Sequence, residues 1–282
     1  IQSLEDTDIQ DLVVLSADPE VQVVGQFHVD ERSAPENARY RVYWTGPRAG
    51  QPLGDKDTPA SVIGQKQLLK SERVTFVNTP RGTVSYLLED GRTGTKVVDG
   101  SFIAGALAVY YNAQAGGAPN VEIIGKVIPG IRLFPEDIDE FYTTRRLERA
   151  GQESIYLINP VGSLALPVVV DDLTTDSSSL EKQSPNIVRS KDYINRDVAI
   201  QIKNSFQGKL MINPGQHIKN INTFMQSLFN QYRGANVIAE IKNISASRSP
   251  DRPDTIKIFY AYEAIYTHKY TEGEYYLSIP TG

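Results

Sequence analysis

Strand and helix alternate through the first 175 residues of this chain and then stop alternating. That switch restricts the fold more than any motif does. Alternation favours a largely parallel sheet with helices on its faces, because parallel neighbours need a crossover and a helix is the usual one. Beyond Thr175 the order becomes helix, helix, strand, strand, strand. The expectation is an α/β region over residues 1–175, with a helix-covered, mainly parallel sheet, and an α+β region over residues 176–282, with a helix pair packed on a small sheet.

In the first region, residues 11–17 read as a short apolar strand closed by Asp18-Pro19. That pair starts a helix, with Asp18 as cap and Pro19 at the first helical position, where its missing N–H had no partner. Val21, Val24, Phe27 and His28 fall on one face of it. Residues 39–45 alternate as a strand carrying the single Trp, Trp44, and residues 46–59 are a Gly- and Pro-rich loop. Thr58-Pro59 repeats the capping device and predicts a helix to about Lys70. Residues 73–78 and 83–88 read as strands, followed by a Gly-rich turn at 90–94. Asp99 caps a small-residue helix over 101–112, and 113–120 is a loop of Ala, Gly and Pro. Pro135 opens a helix to Ala150, stopped by Gly151. Residues 153–159 and 164–171 are strands.

In the second region a polar linker at 177–185 precedes two helices. Ile187, Tyr193, Ile194, Val198, Ile202 and Phe206 fall at helical spacing over 186–206. Ile218, Ile221, Phe224, Met225, Leu228 and Phe229 do the same over 215–232. Strands follow at 235–245, 255–262 and 275–279. The last one, Tyr275, Tyr276, Leu277, Ser278 and Ile279, stops three residues before Gly282. A strand so short and terminal is weakly anchored, and its N–H and C=O groups are a template for another subunit's sheet. The alternative is an ordinary edge strand closing its own sheet. Tyrosine, with 15 copies in the chain and a cluster at Tyr260, Tyr262, Tyr275 and Tyr276 in these strands, suits an interface through its apolar ring and polar tip, although most are expected to be half-buried sheet residues.

Charge along residues 135–150 is polarised. Glu136, Asp137, Asp139 and Glu140 come first, and Arg145, Arg146 and Arg149 near the end. This complements a helix dipole and provides i,i+4 pairs. The sharper alternative makes the three arginines a subunit contact, since complementary charge sets register between partners.

Little else suggests chemistry. A net charge of −5 argues against a broad nucleic-acid surface, and no apolar run approaches the roughly 20 residues of a membrane span. The absence of cysteine removes disulfides and thiolate sites. Val168-Val169-Val170-Asp171-Asp172 looks like a strand ending in metal-binding carboxylates, but the phosphate loop that such a site needs is missing. Gly91-Arg92-Thr93-Gly94-Thr95-Lys96 has the wrong spacing. Ser101 is not in a Gly-x-Ser-x-Gly elbow. His28, His217 and His268 are isolated from one another in sequence. The acidic run Asp6, Asp8, Asp11 lacks the glycine and distal Glu of a calcium loop. No cofactor, metal or catalytic triad is expected, although a triad dispersed in sequence, as in an α/β hydrolase, is the enzyme alternative. Residue 1 is Ile and no signal peptide follows, so the chain reads as a processed product or a fragment.

Several stretches resemble the tail sheath proteins of contractile-tailed bacteriophages and related injection systems. Residues 168–176, with Thr174-Thr175, resemble a family strand ending in a Thr-Thr-like turn. Asn186-Ile187-Val188-Arg189 through Tyr193-Ile194-Asn195-Arg196-Asp197 resembles the opening of the family's C-terminal domain. Phe206-Gln207-Gly208-Lys209 is similar to the end of that helix, and 254–279 to its closing strands. Upstream, residues 17–28, 71–80 and 99–111 resemble parts of its central region, with Gly100-Ser101 where many members carry Pro-Pro-Ser. The resemblance implies a virion tail subunit, assembled in the host cytoplasm, that polymerises with copies of itself around a tail tube above a baseplate. Contraction would drive the tube through the host envelope without nucleotide fuel. Terminal strands would exchange between neighbours, so that the fragment alone is monomeric and the complete protein polymerises. A baseplate or tail-terminator protein with a sheath-like domain is the nearest alternative.

Overall fold

The computed structural model describes Leu4 and residues 9–34, 37, 39–115, 119, 121, 123–208, 213–252 and 254–266. Three strands, β1 (Asp11–Val13), β2 (Val42–Thr45) and β3 (Val74–Phe76), form a parallel sheet in the order β1-β2-β3. Helix α1 (Pro19–Arg32) makes the first crossover, and the short α2 (Val62–Lys66) the second. The sheet gains a parallel bridge at Val77 and Tyr156, where the Tyr156 N–H donates to the Phe76 carbonyl at 2.8 Å. Next in the chain is a hairpin of β4 (Arg81–Leu87) and β5 (Thr93–Asp99), whose outer neighbour is the two-residue β6 (Ile131–Arg132). Helix α3 (Gly100–Ala115) buries Ile103, Ala104, Leu107, Ala108 and Tyr111 under the parallel sheet. Its start is the expected one, since the Asp99 carboxylate accepts from the Ser101 hydroxyl at 2.6 Å and from the Phe102 N–H at 3.2 Å.

Helix α4 (Thr144–Gln152), the antiparallel pair β7 (Leu157–Val161) and β8 (Leu166–Asp171), and the four-residue α5 (Leu180–Gln183) complete this part. Two long helices follow, α6 (Pro185–Phe206) and α7 (Pro214–Gly234), then an antiparallel hairpin of β9 (Ile238–Arg248) and β10 (Ile256–Ala264). The helix-covered parallel sheet and the helix pair on a small sheet are thus both present.

The apolar interior divides into two clusters. The larger runs from Leu12 to Val169 around Tyr43, Trp44, Phe76 and Tyr156. The smaller joins Ile194 and Val198 of α6, Ile221, Met225, Leu228, Phe229 and Tyr232 of α7, and Val237 and Ile238. Among the described residues no helix is long and apolar enough to cross a membrane.

Several sequence expectations need correction. On α1, Asp18 does cap, its side chain accepting from the Glu20 N–H, but the helix buries Gln22, Gly25, His28 and Val29 and exposes Val24 and Phe27. The helix expected from Thr58-Pro59 to Lys70 is only α2, and its cap is Ser61, whose hydroxyl accepts from the Gly64 N–H at 3.0 Å. Residues 135–150 are not one helix. A 3-10 turn (Pro135–Asp137) and a π-helical turn (Ile138–Tyr142) precede Thr143, whose extended backbone (φ −68°, ψ 151°) separates them from α4. Gly151 lies inside α4 and does not stop it. The shared helix dipole and its i,i+4 pairs therefore do not exist. Asp137 instead clamps Arg81 through two bonds of 2.7 and 2.9 Å, and Glu140 accepts from the Leu53 N–H. The last strand expected, at 275–279, lies outside the described residues.

Candidate assembly surface

The motif residues of α6 are structural anchors. Asn186 accepts from the Tyr111 hydroxyl at 2.7 Å and donates to Asp172 at 3.2 Å. Arg189 pairs with Asp11 and lies 4.3 Å from the ring centroid of Tyr111, and the same Asp11 oxygen accepts from the Trp44 indole N–H at 2.6 Å. Asp192 takes both ends of the Arg73 guanidinium at 2.6 and 2.8 Å. These contacts fasten the first half of α6 to the parallel sheet. The second half faces the smaller cluster, where Asn195 accepts from the Tyr260 hydroxyl and Asp197 from the Tyr232 hydroxyl, each at 2.6 Å. Burial raises the Asp192 carboxyl above the usual carboxylate range despite the Arg73 hydrogen bonds that oppose it. The Thr-Thr turn acts similarly: the Thr175 hydroxyl donates to the Ser71 carbonyl at 3.1 Å, and the Thr174 hydroxyl to that of Lys182 at 2.6 Å.

Against this rigid helix stands the β9–β10 hairpin. Ile256, Ile258, Tyr260 and Tyr262 turn inward, with Phe229 5.1 Å from Tyr260 and 6.1 Å from Tyr262 between ring centroids. Burial pushes the Tyr260 hydroxyl up to about 12 and raises those of Tyr232 and Tyr262 as well. On the outer face Lys242 bridges Glu240 and Glu263, and Phe259 is 57% exposed. Two register shifts in the pairing, at Ala261/Tyr262 and Glu263/Ala264, mark bulges. Among the described residues no strand pairs with the outer edge of either β9 or β10. Like any two-stranded sheet, it presents two open edges whose unpaired N–H and C=O groups can recruit further strands. The described chain leaves β10 through Ile265 and Tyr266.

Of the residues expected at a subunit interface, Tyr275, Tyr276, Leu277, Ser278 and Ile279 lie outside the described residues. Arg145, Arg146 and Arg149 are on α4 and make no ion pair with a described carboxylate. Sequence reasoning missed the open edges, which depend on which strands pair, and the apolar stripe on α1, which depends on which face packs. Among the described residues no catalytic grouping comes together at the candidates, and Asp6, Asp8 and His268 lie outside the described residues. Ser101 is buried and bonded to Asp99, the His28 ring is 2.5 Å from the Arg41 guanidinium, and His217 meets the Phe206 ring edge-on. Among the described residues no cluster of metal-ligating side chains forms.

Solved chains from contractile-sheath assemblies share this overall fold. A sheath tail protein from Desulfitobacterium hafniense superposes with a TM-score of 0.60 at 15% identity over 94% of this chain. The chain spans only 58% of that protein. A chain of the PVC sheath complex, an extracellular contractile injection system in its contracted state, gives 0.63 at 12% identity, covering 99% of this chain and 75% of that one. A chain of the anti-feeding prophage baseplate gives 0.60 at 11%, over 96% and 69%. No family model and no curated protein matches the chain in sequence. The likeness suggested by the α6 motif thus stands at the level of the fold.

Proposed function

We propose that this chain is a subunit of a contractile sheath, one that polymerises with copies of itself around a tail tube and shortens to drive the tube through a host envelope. The observation that carries the reading is the hairpin with two unpaired edges, set on a fold shared with sheath proteins. A sheet open on both sides adds strands from neighbours by main-chain hydrogen bonding, which tethers subunits without fixing their relative tilt. Tyr275, Tyr276, Leu277, Ser278 and Ile279 are the residues we assign to that exchange. In this reading the chain divides into a central region at 1–175 and a C-terminal region at 176–282. The protein works in a virion or injection-system tail and contacts a baseplate at one end. Its role is structural and needs no nucleotide, because the free-energy difference between two packings supplies the stroke.

Negative-stain electron microscopy of the complete protein tests this. Tubular polymers are expected, and deletion of residues 275–282 should abolish them while leaving the melting temperature nearly unchanged. Polymers that survive the deletion overturn strand exchange, and uniform monomers of the complete protein overturn the sheath reading. The likeness to a baseplate chain favours a second reading, a baseplate component, for which closed rings are the expected particles.

A further inference from the structure

A groove beside α4 has the root of the C-terminal segment in its wall. It encloses about 870 Å³, and Leu147 of α4, Leu157 of β7, Val170 of β8, Leu173 and Leu180 form its apolar lining. Leu180 is 73% exposed, so much of this apolar surface meets water. The charged lining residues, Glu148 and Asp171, are both acidic. Tyr266, the last described residue, also lines the groove and is 51% exposed. The chain therefore leaves β10 and arrives at this groove, and the residues that follow Tyr266 start from its wall.

The sequence after Tyr266 reads Thr267-His268-Lys269-Tyr270-Thr271-Glu272-Gly273-Glu274. Its first part carries a cation and an aromatic ring, and its next part is acidic. Tyr270 stands four residues past Tyr266, a reach of at most about 14 Å along an extended chain. A tyrosine suits such a site, because its ring covers leucines while its hydroxyl stays at the wet rim. Lys269 has the sign that Glu148 and Asp171 attract, whereas Glu272 and Glu274 have the sign they repel. Charge therefore selects residues 268–270 over the stretch that comes next.

We infer that the groove is a socket for residues 268–270 of the same chain, with the Tyr270 ring on Leu147 and Leu180 and the Lys269 ammonium at Glu148 and Asp171. Because Tyr266 already holds the segment at the site, docking is intramolecular and weak contacts suffice for it. One consequence rests on the strand exchange proposed above: residues 275–279 would depart toward a neighbour from a fixed point beside α4. The socket itself does not depend on polymerisation.

Limited trypsin digestion of the complete protein tests this, because trypsin cuts after Lys269 and mass spectrometry follows release of the segment that begins at Tyr270. Cleavage requires the segment to leave its socket, so the rate follows the open population. Leu180→Ser with Glu148→Gln, both at exposed positions, should speed this release about tenfold while cleavage within α6 and α7 keeps its original rate. Tyr276→Ser with Leu277→Ser should leave the release unchanged. Release that ignores the groove substitutions overturns the inference. Protection lost in the Tyr276→Ser, Leu277→Ser chain also overturns it, since the groove would then hold the last strand. So does protection that disappears on dilution, which gives the groove to a neighbouring copy. The same rate ratio is expected whether or not polymers form, so a failed socket and a failed sheath reading are told apart.

Discussion

Residue by residue, the α6 motif is a row of polar clasps, and the Arg73–Asp192 pair tests what such a clasp contributes. Both side chains are nearly buried, at 7% and 12% exposure, and their two hydrogen bonds satisfy the fork of the guanidinium. Removing one partner of a buried pair strands the other charge, whereas replacing both with apolar residues removes the desolvation cost as well. Arg73→Leu should therefore lower stability by about 3–5 kcal/mol, and Arg73→Leu with Asp192→Leu should recover most of it. The deficit in the single variant should shrink as pH falls from 7 toward 4. Burial already raises the folded carboxyl above its unfolded value, so the folded state binds the extra proton and stability rises as pH drops through the folded pKa. Chemical denaturation of the unmodified chain and the two variants at two pH values measures both effects, and a single-variant loss that does not change with pH contradicts the account. In the sequence Asn186 and Arg189 were legible only as part of the family resemblance, and Asp192 was not singled out. Their partners Tyr111, Asp11 and Arg73 are 75, 178 and 119 residues away and carried no local signal.

At the scale of elements, what sequence could not supply was which side of a helix packs. The alternation in the first region, the Asp18-Pro19 and Asp99 starts, α6, α7 and the β9–β10 pair were all legible, because periodicity and caps are local properties. The buried face of α1 was not. Gln22 donates to the Thr45 hydroxyl at 2.8 Å and the Gly46 carbonyl at 2.7 Å, and accepts from Gln65 at 2.7 Å, so a polar side chain sits inside at little cost while valines stay outside. Apolar periodicity assumes the reverse. The broken helix at 135–150 has a similar cause, since Arg81 and the Leu53 N–H hold its acidic residues to other parts of the chain. The consequence is a pair of substitutions with inverted effects. Gln22→Leu, though more apolar, leaves the Gly46 carbonyl and Gln65 short of a partner and should cost about 1–3 kcal/mol. Val24→Lys, at an exposed position, should change stability by less than about 0.5 kcal/mol. Urea denaturation separates the two, and a destabilised Val24→Lys monomer would show that α1 packs on its other face.

The whole molecule is two apolar clusters bound to one helix, and both clusters carry buried tyrosines that link stability to alkaline pH. In the larger, burial raises the hydroxyls of Tyr43, Tyr142 and Tyr156 and pushes Tyr111 up to about 12. In the smaller it raises Tyr232 and Tyr262 and pushes Tyr260 up to about 12. An unfolded tyrosine ionises near 10, so from about pH 10 upward the unfolded chain loses protons that the folded chain keeps. Each such group then withdraws about 1.4 kcal/mol per pH unit until its folded pKa is reached. The sign is fixed: this stability is complete below about pH 10 and falls as pH rises. Because a domain's net stability is only about 5–15 kcal/mol, several tyrosines acting together exhaust it within one or two pH units. The chain should therefore unfold abruptly between about pH 10 and 12, with the tyrosinate absorbance of these buried rings and the loss of helical circular dichroism coinciding. Since α6 is clasped to both clusters, a single step is expected instead of two. Ionisation of all the tyrosines with the helical signal intact would mean that these hydroxyls reach water in the folded state, and two separate steps would mean that α6 does not couple the clusters.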